Sequence, residues 1–163
     1  MSLNSEPRIQ HLEHRARSVL LGVGNRLRGD DAVGSLVAEE LSGAEGLAVF
    51  DCGTTPENFI EPVVRLGPER ILIVDACAFG GRPGEFKLFE QEEIEPLASG
   101  LVSTHTLPLT MTVALLCQQL TAGIQLLGVQ PACIRFGARM SSAVAKAMPR
   151  LVQFVKVWTA RSL

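Results

Sequence analysis

The run SVLLGVGN, residues 18–25, is apolar at consecutive rather than alternate positions and ends in glycine and asparagine. A strand with one wet face alternates, whereas a strand covered on both faces, as in a parallel sheet, reads as a continuous apolar run. The neighbouring segments agree. AVGSLVAEELSG, residues 32–43, places Val33, Leu36, Val37 and Leu41 on one face of a short helix that stops near Gly43. A second strand is expected at about 47–51. The loop CGTTPEN then leads to a short helix at about 59–66, and ERILIVDACAF supplies a third buried strand at about 70–75. Strands alternating with helices at this spacing are the mark of βαβ units and an open, largely parallel α/β sheet.

Further out the pattern changes. GGRPGEFKLFE, residues 80–90, reads as a turn into a short strand at 86–89 whose alternation predicts a more exposed edge, open to antiparallel pairing. Residues 106–121 read as a helix with Leu109, Val113, Leu116, Cys117 and Leu120 as its apolar stripe, Pro108 being tolerated in the first turn. QLLGVQPACIRFG supplies a buried strand near 125–129, with room for a short strand after it. A last helix is expected after a Ser141 or Ser142 cap, carrying Val144, Ala147, Leu151, Phe154, Val155 and Trp158. Pro149 lies inside it and predicts a kink, or two helices separated by a turn.

The 163 residues are enough for one core between a sheet and two helical layers. Residues 1–17 form a polar extension without period, in which His11 and His14 read as solvated, and 18–163 form a single domain. With 47% hydrophobic and 20% charged residues and a net charge of −2, the chain is a globule lacking the positive field that draws nucleic acid or anionic membranes. Apolar runs such as Val19–Val23 and Ile71–Val74 are too short to span a bilayer, and the first seventeen residues hold no leader-like apolar stretch. A cytoplasmic protein without membrane insertion is expected. Cys52, Cys77, Cys117 and Cys133 are scattered among mostly apolar neighbours, which suits reduced, buried thiols rather than disulfides or a zinc knot.

In an open α/β sheet, ligands bind outside the carboxyl ends of the strands. The first strand delivers GNRLRGDD to that edge, the second Asp51, the third Asp75, and His105 in STHTLP stands at the start of a helix. A carboxylate there must be paired, hydrogen-bonded or bound to a cation. Asp75 comes directly after ILIV and is a candidate site residue; capping a loop or pairing with an arginine is the alternative. Of Asp30 and Asp31, one can cap the next helix while the other faces the crevice. Two carboxylates and an imidazole would suit a divalent transition metal with positions left for substrate or water, although His105 could equally be a satisfied capping histidine.

Other chemistries fit less well. GVGNRLRG departs from a dinucleotide fingerprint because Leu27 stands where glycine or alanine belongs, even with Asp51 placed like a ribose-binding acid. Asp30 and Asp31 occupy the lysine and hydroxyl positions of a phosphate loop and would repel phosphate. No GxSxG elbow occurs. A Cys77 nucleophile with His105 as base is conceivable, but Cys77 between two alanines reads more simply as packing.

GVGNRLRGDDAVG, DCGTTPEN, ILIVDACAFGGRPGE, STHTLPL and LLGVQP, in that order and spacing, resemble the hydrogenase maturation endopeptidases. These cytoplasmic proteases trim the C-terminal extension from the large-subunit precursor of a nickel-iron hydrogenase. The likeness is strongest to the branch serving formate-hydrogenlyase hydrogenases and runs from about residue 18 to 158. It implies a three-layer sandwich, with a twisted, mainly parallel five-stranded sheet between helices, acting as a monomer on a folded precursor. It implies that Asp31, Asp75 and His105 are the catalytic, nickel-contacting residues, with Asp30 supporting the loop or helix entry. The nickel would arrive in the precursor rather than stay as a resident cofactor. Gly22, Gly24, Asn25 and Gly29 match the tight loop presenting Asp31. Gly53, Thr54, Pro56 and Glu57 match the loop beside the cleft, and Cys52 takes a position often held by another small residue. A noncatalytic assembly chaperone and a nucleotide-binding α/β enzyme are the rival readings.

Overall fold

The run at 18–23 forms β1 (Ser18–Val23), and all six of its residues are buried because helices cover both faces and strands flank both edges. A computed structural model describes residues 17–94 and 106–161. β1 pairs in parallel with β2 (Leu47–Gly53) on one side and β3 (Arg70–Ala76) on the other. β3 pairs in parallel with β5 (Gly123–Val129), and β4 (Phe86–Glu90) closes the far edge antiparallel to β5. The order is β2-β1-β3-β5-β4, so the expected mixed sheet with an antiparallel edge strand is what forms.

Side chains alternate across each strand and sort the core into two layers. Leu20, Leu72, Val74 and Leu127 face α1 (Val33–Glu40) and α4 (Ser142–Ala160). Val19, Leu21, Ile71, Ile73 and Leu126 face α2 (Ile60–Leu66) and α3 (Thr106–Gln119). β1 leads to β2 through α1 on one face, and β2 leads to β3 through α2 on the other. The chain therefore changes direction across the sheet between β1 and β3, the place where such folds open a crevice.

Several expectations need correction. α4 is one helix of 19 residues containing Pro149, not two helices separated by a turn. Pro149 is exposed, so the carbonyl freed at Ala145 faces water instead of a dry core. Ser141 is its N-cap, accepting the Val144 N–H at 3.3 Å. No strand comes after β5 among the described residues: 130–140 are irregular, held by contacts from the other end of the sequence. In α3, Cys117 is exposed, and the buried stripe takes in Thr112 instead. The cysteines accordingly divide, with Cys52 and Cys77 buried, Cys133 half-buried, and all four free thiols.

Candidate active site

β1 ends at Val23, and the loop after it folds back on itself. Gly24 donates its N–H to Gly53 O at 2.8 Å, tying the loop to the end of β2. A Cβ on Gly24 would lie 2.1 Å from Asp31 O, so only glycine allows the loop to close on the short 3-10 turn Gly29–Ala32. Asn25 N–H then reaches both Asp31 O at 3.1 Å and Asp31 Oδ2 at 3.3 Å. Ser35 adds a lock no periodicity would reveal: its buried hydroxyl donates to Gly24 O at 3.1 Å.

The adjacent aspartates serve different ends. Asp30 is fully buried, its Oδ2 accepting from Ala132 N–H at 2.7 Å and Cys133 N–H at 3.1 Å, its Oδ1 from Ser141 N–H at 2.7 Å. It supports the loop, as the resemblance implied. Neither aspartate caps α1, whose N-cap is Ala32 without a side-chain bond, because the 3-10 turn carries both carboxylates away from the first free amides. Asp31 is 1% exposed and Asp75 not exposed at all.

Gly34 explains how the segment that carries Asp31 comes to the ends of β1 and β3. A Cβ there would lie 2.1 Å from Val23 O and 2.2 Å from Val74 O, so the start of α1 rests directly on the seam between β1 and β3. Asp31 precedes Gly34 by three residues, Asp75 comes one after Val74, and the 3-10 turn touches β3. Asp75 shares the strand face of Ile71 and Ile73, towards α2 and α3. His105 lies outside the described residues, immediately before α3, as do His11 and His14. Among the described residues no group of three His, Cys, Asp or Glu side chains is placed to hold a metal ion.

A cavity of about 560 Å³ opens beside the loop, lined in part by Asn25, Arg26, Asp51, Thr54 and Asn58. Arg26, which the sequence did not single out, spans its rim with ion pairs to Asp51 at 2.9 Å and to Glu39. Burial raises the Asp51 carboxyl, but the polar Ser35 side chain nearby and hydrogen bonds from Arg26 and Gly53 outweigh it and leave the group below its ordinary value. Asp51 is thus paired with a guanidinium on the cavity rim. Burial, helped by the Asp75 charge, pushes the Cys77 thiol up to about 12, so it is a neutral packing residue and not a nucleophile.

Residues 32–158 match the family described as hydrogenase maturation protease. The hydrogenase 3 maturation protease of Escherichia coli K12 is 34% identical over 142 residues, covering 86% of this chain and 89% of that one. The chain belongs to the hydrogenase maturation protease family. Among solved structures, a NiFe hydrogenase maturation protease HycI from Thermococcus kodakarensis KOD1 has a TM-score of 0.78 at 32% identity, covering 90% of this chain and 94% of that one. The solution structure of an endopeptidase HycI from Escherichia coli has a TM-score of 0.76 at 33% identity, covering 88% and 92%. The sheet and its flanking helices therefore form the fold of the hydrogenase maturation proteases. No helix among the described residues is long and apolar enough to cross a membrane.

Proposed function

We propose that this protein is the endopeptidase that removes the C-terminal extension from a nickel-loaded large-subunit precursor of a nickel-iron hydrogenase, of the formate-hydrogenlyase branch. The observation that carries this reading is the burial of Asp31 and Asp75 at the β1–β3 seam, in a chain of the hydrogenase maturation protease family. Burying carboxylates at a ligand crevice costs stability that function must offset.

In this reading nickel comes with the substrate. Asp31, Asp75 and His105 complete the shell of the ion already seated in the precursor, which holds the scissile segment against the sheet edge. Hydrolysis adds water across the peptide bond: its oxygen goes to the carbonyl carbon, and the departing amine takes up a proton. Because the ligands are incomplete without the cargo, cleavage waits for metal assembly, a form of specificity in which a binding event builds the reactive geometry. The protein acts in the cytoplasm as a monomer.

Intact-mass analysis of the precursor, with and without assembled nickel, tests this. Loss of one defined C-terminal peptide from the nickel-loaded form alone is expected, and His105→Ala should abolish it. Complex formation with no mass change would make the protein a docking chaperone, and full cleavage by the His105→Ala variant would remove that residue from the site.

A further inference from the structure

Large apolar side chains stand exposed at Leu27, Met111, Phe136 and Val157. Single exposed apolar residues are ordinary on a protein surface, and Met111 and Val157 lie apart, one each on α3 and α4. Leu27 and Phe136 are neighbours. The N–H of Gly137, the residue bonded to Phe136, donates to Leu27 O at 2.7 Å and sets the two backbones side by side. At 61% and 73% exposed, they are also the most open of the four.

Both belong to loops leaving the carboxyl ends of strands. Leu27 follows β1, lines the cavity of about 560 Å³ and precedes Asp31 by four residues, while Phe136 follows β5. The segment around Phe136 has no regular structure, yet it is pinned to the loop of Leu27. Asp30 accepts from the N–H groups of Ala132, Cys133 and Ser141, and Gly29 N–H donates to Ala138 O at 3.1 Å. Apolar side chains presented by a pinned backbone need little loop ordering when a partner covers them.

Charge narrows the partner. Residues 130–140 contain Arg135 and Arg139, both exposed, and no acid, while Asp30 and Asp31 of the facing loop are buried. Neither arginine is in an ion pair among the described residues. A positive margin beside an apolar patch is complementary to an apolar surface edged by carboxylates. A second copy of this chain does not offer that surface: paired about a twofold axis, the patch would set the arginines of one copy against those of the other.

We propose that Leu27, Phe136, Arg135 and Arg139 form the surface on which the hydrogenase large-subunit precursor docks, through an apolar area edged by acidic side chains near the root of its C-terminal extension. The inference rests on the endopeptidase reading and names the surface chemistry of its partner. A protein seated on Leu27 covers the rim of the cavity, so docking itself carries the extension to the mouth.

The test is KM and kcat for cleavage of nickel-loaded precursor at low and high salt, with the melting temperature and sedimentation of each enzyme alone. Phe136→Ala should raise KM roughly thirtyfold with kcat held within about twofold, the loss of an aromatic anchor. Arg135→Glu combined with Arg139→Glu should lower kcat/KM roughly tenfold at low salt, and the deficit should shrink at high salt as the charges are screened. All these side chains are exposed, so the variants should melt as wild type does. Val157→Ala, an exposed apolar change on α4, should cleave with the wild-type KM. A wild-type KM in Phe136→Ala, an equal rise in Val157→Ala, or a loss that tracks a falling melting temperature overturns the inference while the endopeptidase reading stands. So does a wild-type dimer that Phe136→Ala converts to monomer without change in KM, which would give the patch to a second copy. Wild-type enzyme that leaves the loaded precursor uncut overturns both.

Discussion

A carboxylate at full burial must be met by donors, and Asp30 is met by the backbone N–H groups of Ala132, Cys133 and Ser141, each more than a hundred residues away. Asp30→Ala would leave three amides without an acceptor and should destabilise the fold by about 3 kcal/mol or more, read as a lower urea midpoint at unchanged slope. The thiols give a second test at this scale. Cys52 and Cys77 are pushed up to about 12 mainly by burial, whereas hydrogen bonds from the Arg135 backbone and side chain lower Cys133, and burial raises Cys117. Alkylation near pH 8 should therefore label Cys133 first and Cys117 more slowly. Cys52 and Cys77 should react only in denaturant, which intact mass would show as two adducts becoming four.

Between elements, the tightest contact is that of α1 with the sheet. Gly34 sits on the carbonyls of Val23 and Val74, and a Cβ on Gly22 would lie 2.2 Å from Gly34 O. Backbone meets backbone there, so no rotamer change can make room. Gly34→Ala should cost about 3 kcal/mol, lowering the melting temperature by roughly 10 °C. Gly123→Ala, where an added Cβ meets nothing within 4 Å, should stay within about 0.5 kcal/mol of wild type. Equal losses in the two variants would show that the close approach is not what demands glycine at position 34. The 3-10 turn that carries Asp31 leads directly into this packing, so if Asp31 acts as proposed, Gly34→Ala should also reduce precursor cleavage by more than its stability loss explains.

At the scale of the whole molecule, the proposed dependence on nickel-bearing cargo predicts that the protein is inert towards other proteins. Incubation with unfolded casein or nickel-free precursor should release no peptides detectable by mass spectrometry, and robust digestion of either would sink the gated reading. The legibility of this molecule tracks its periodicities. Continuous apolar runs marked β1 and β3 as strands covered on both faces, alternation marked β4 as an edge, and Asp75 stood out because it comes directly after ILIV at a strand end. Those signals are local, carried by residues within a turn or a strand of one another. Which of Asp30 and Asp31 would hold the 132–141 segment, that Arg26 would bind Asp51, and that α4 would run through Pro149 depended on distant partners and on which side met water. Period 2 and period 3.6 assign each side chain a face. They do not say what distant segments of the chain bring to that face, because the sheet order and the glycine-permitted approach of α1 to the β1–β3 seam exist only once the chain has closed.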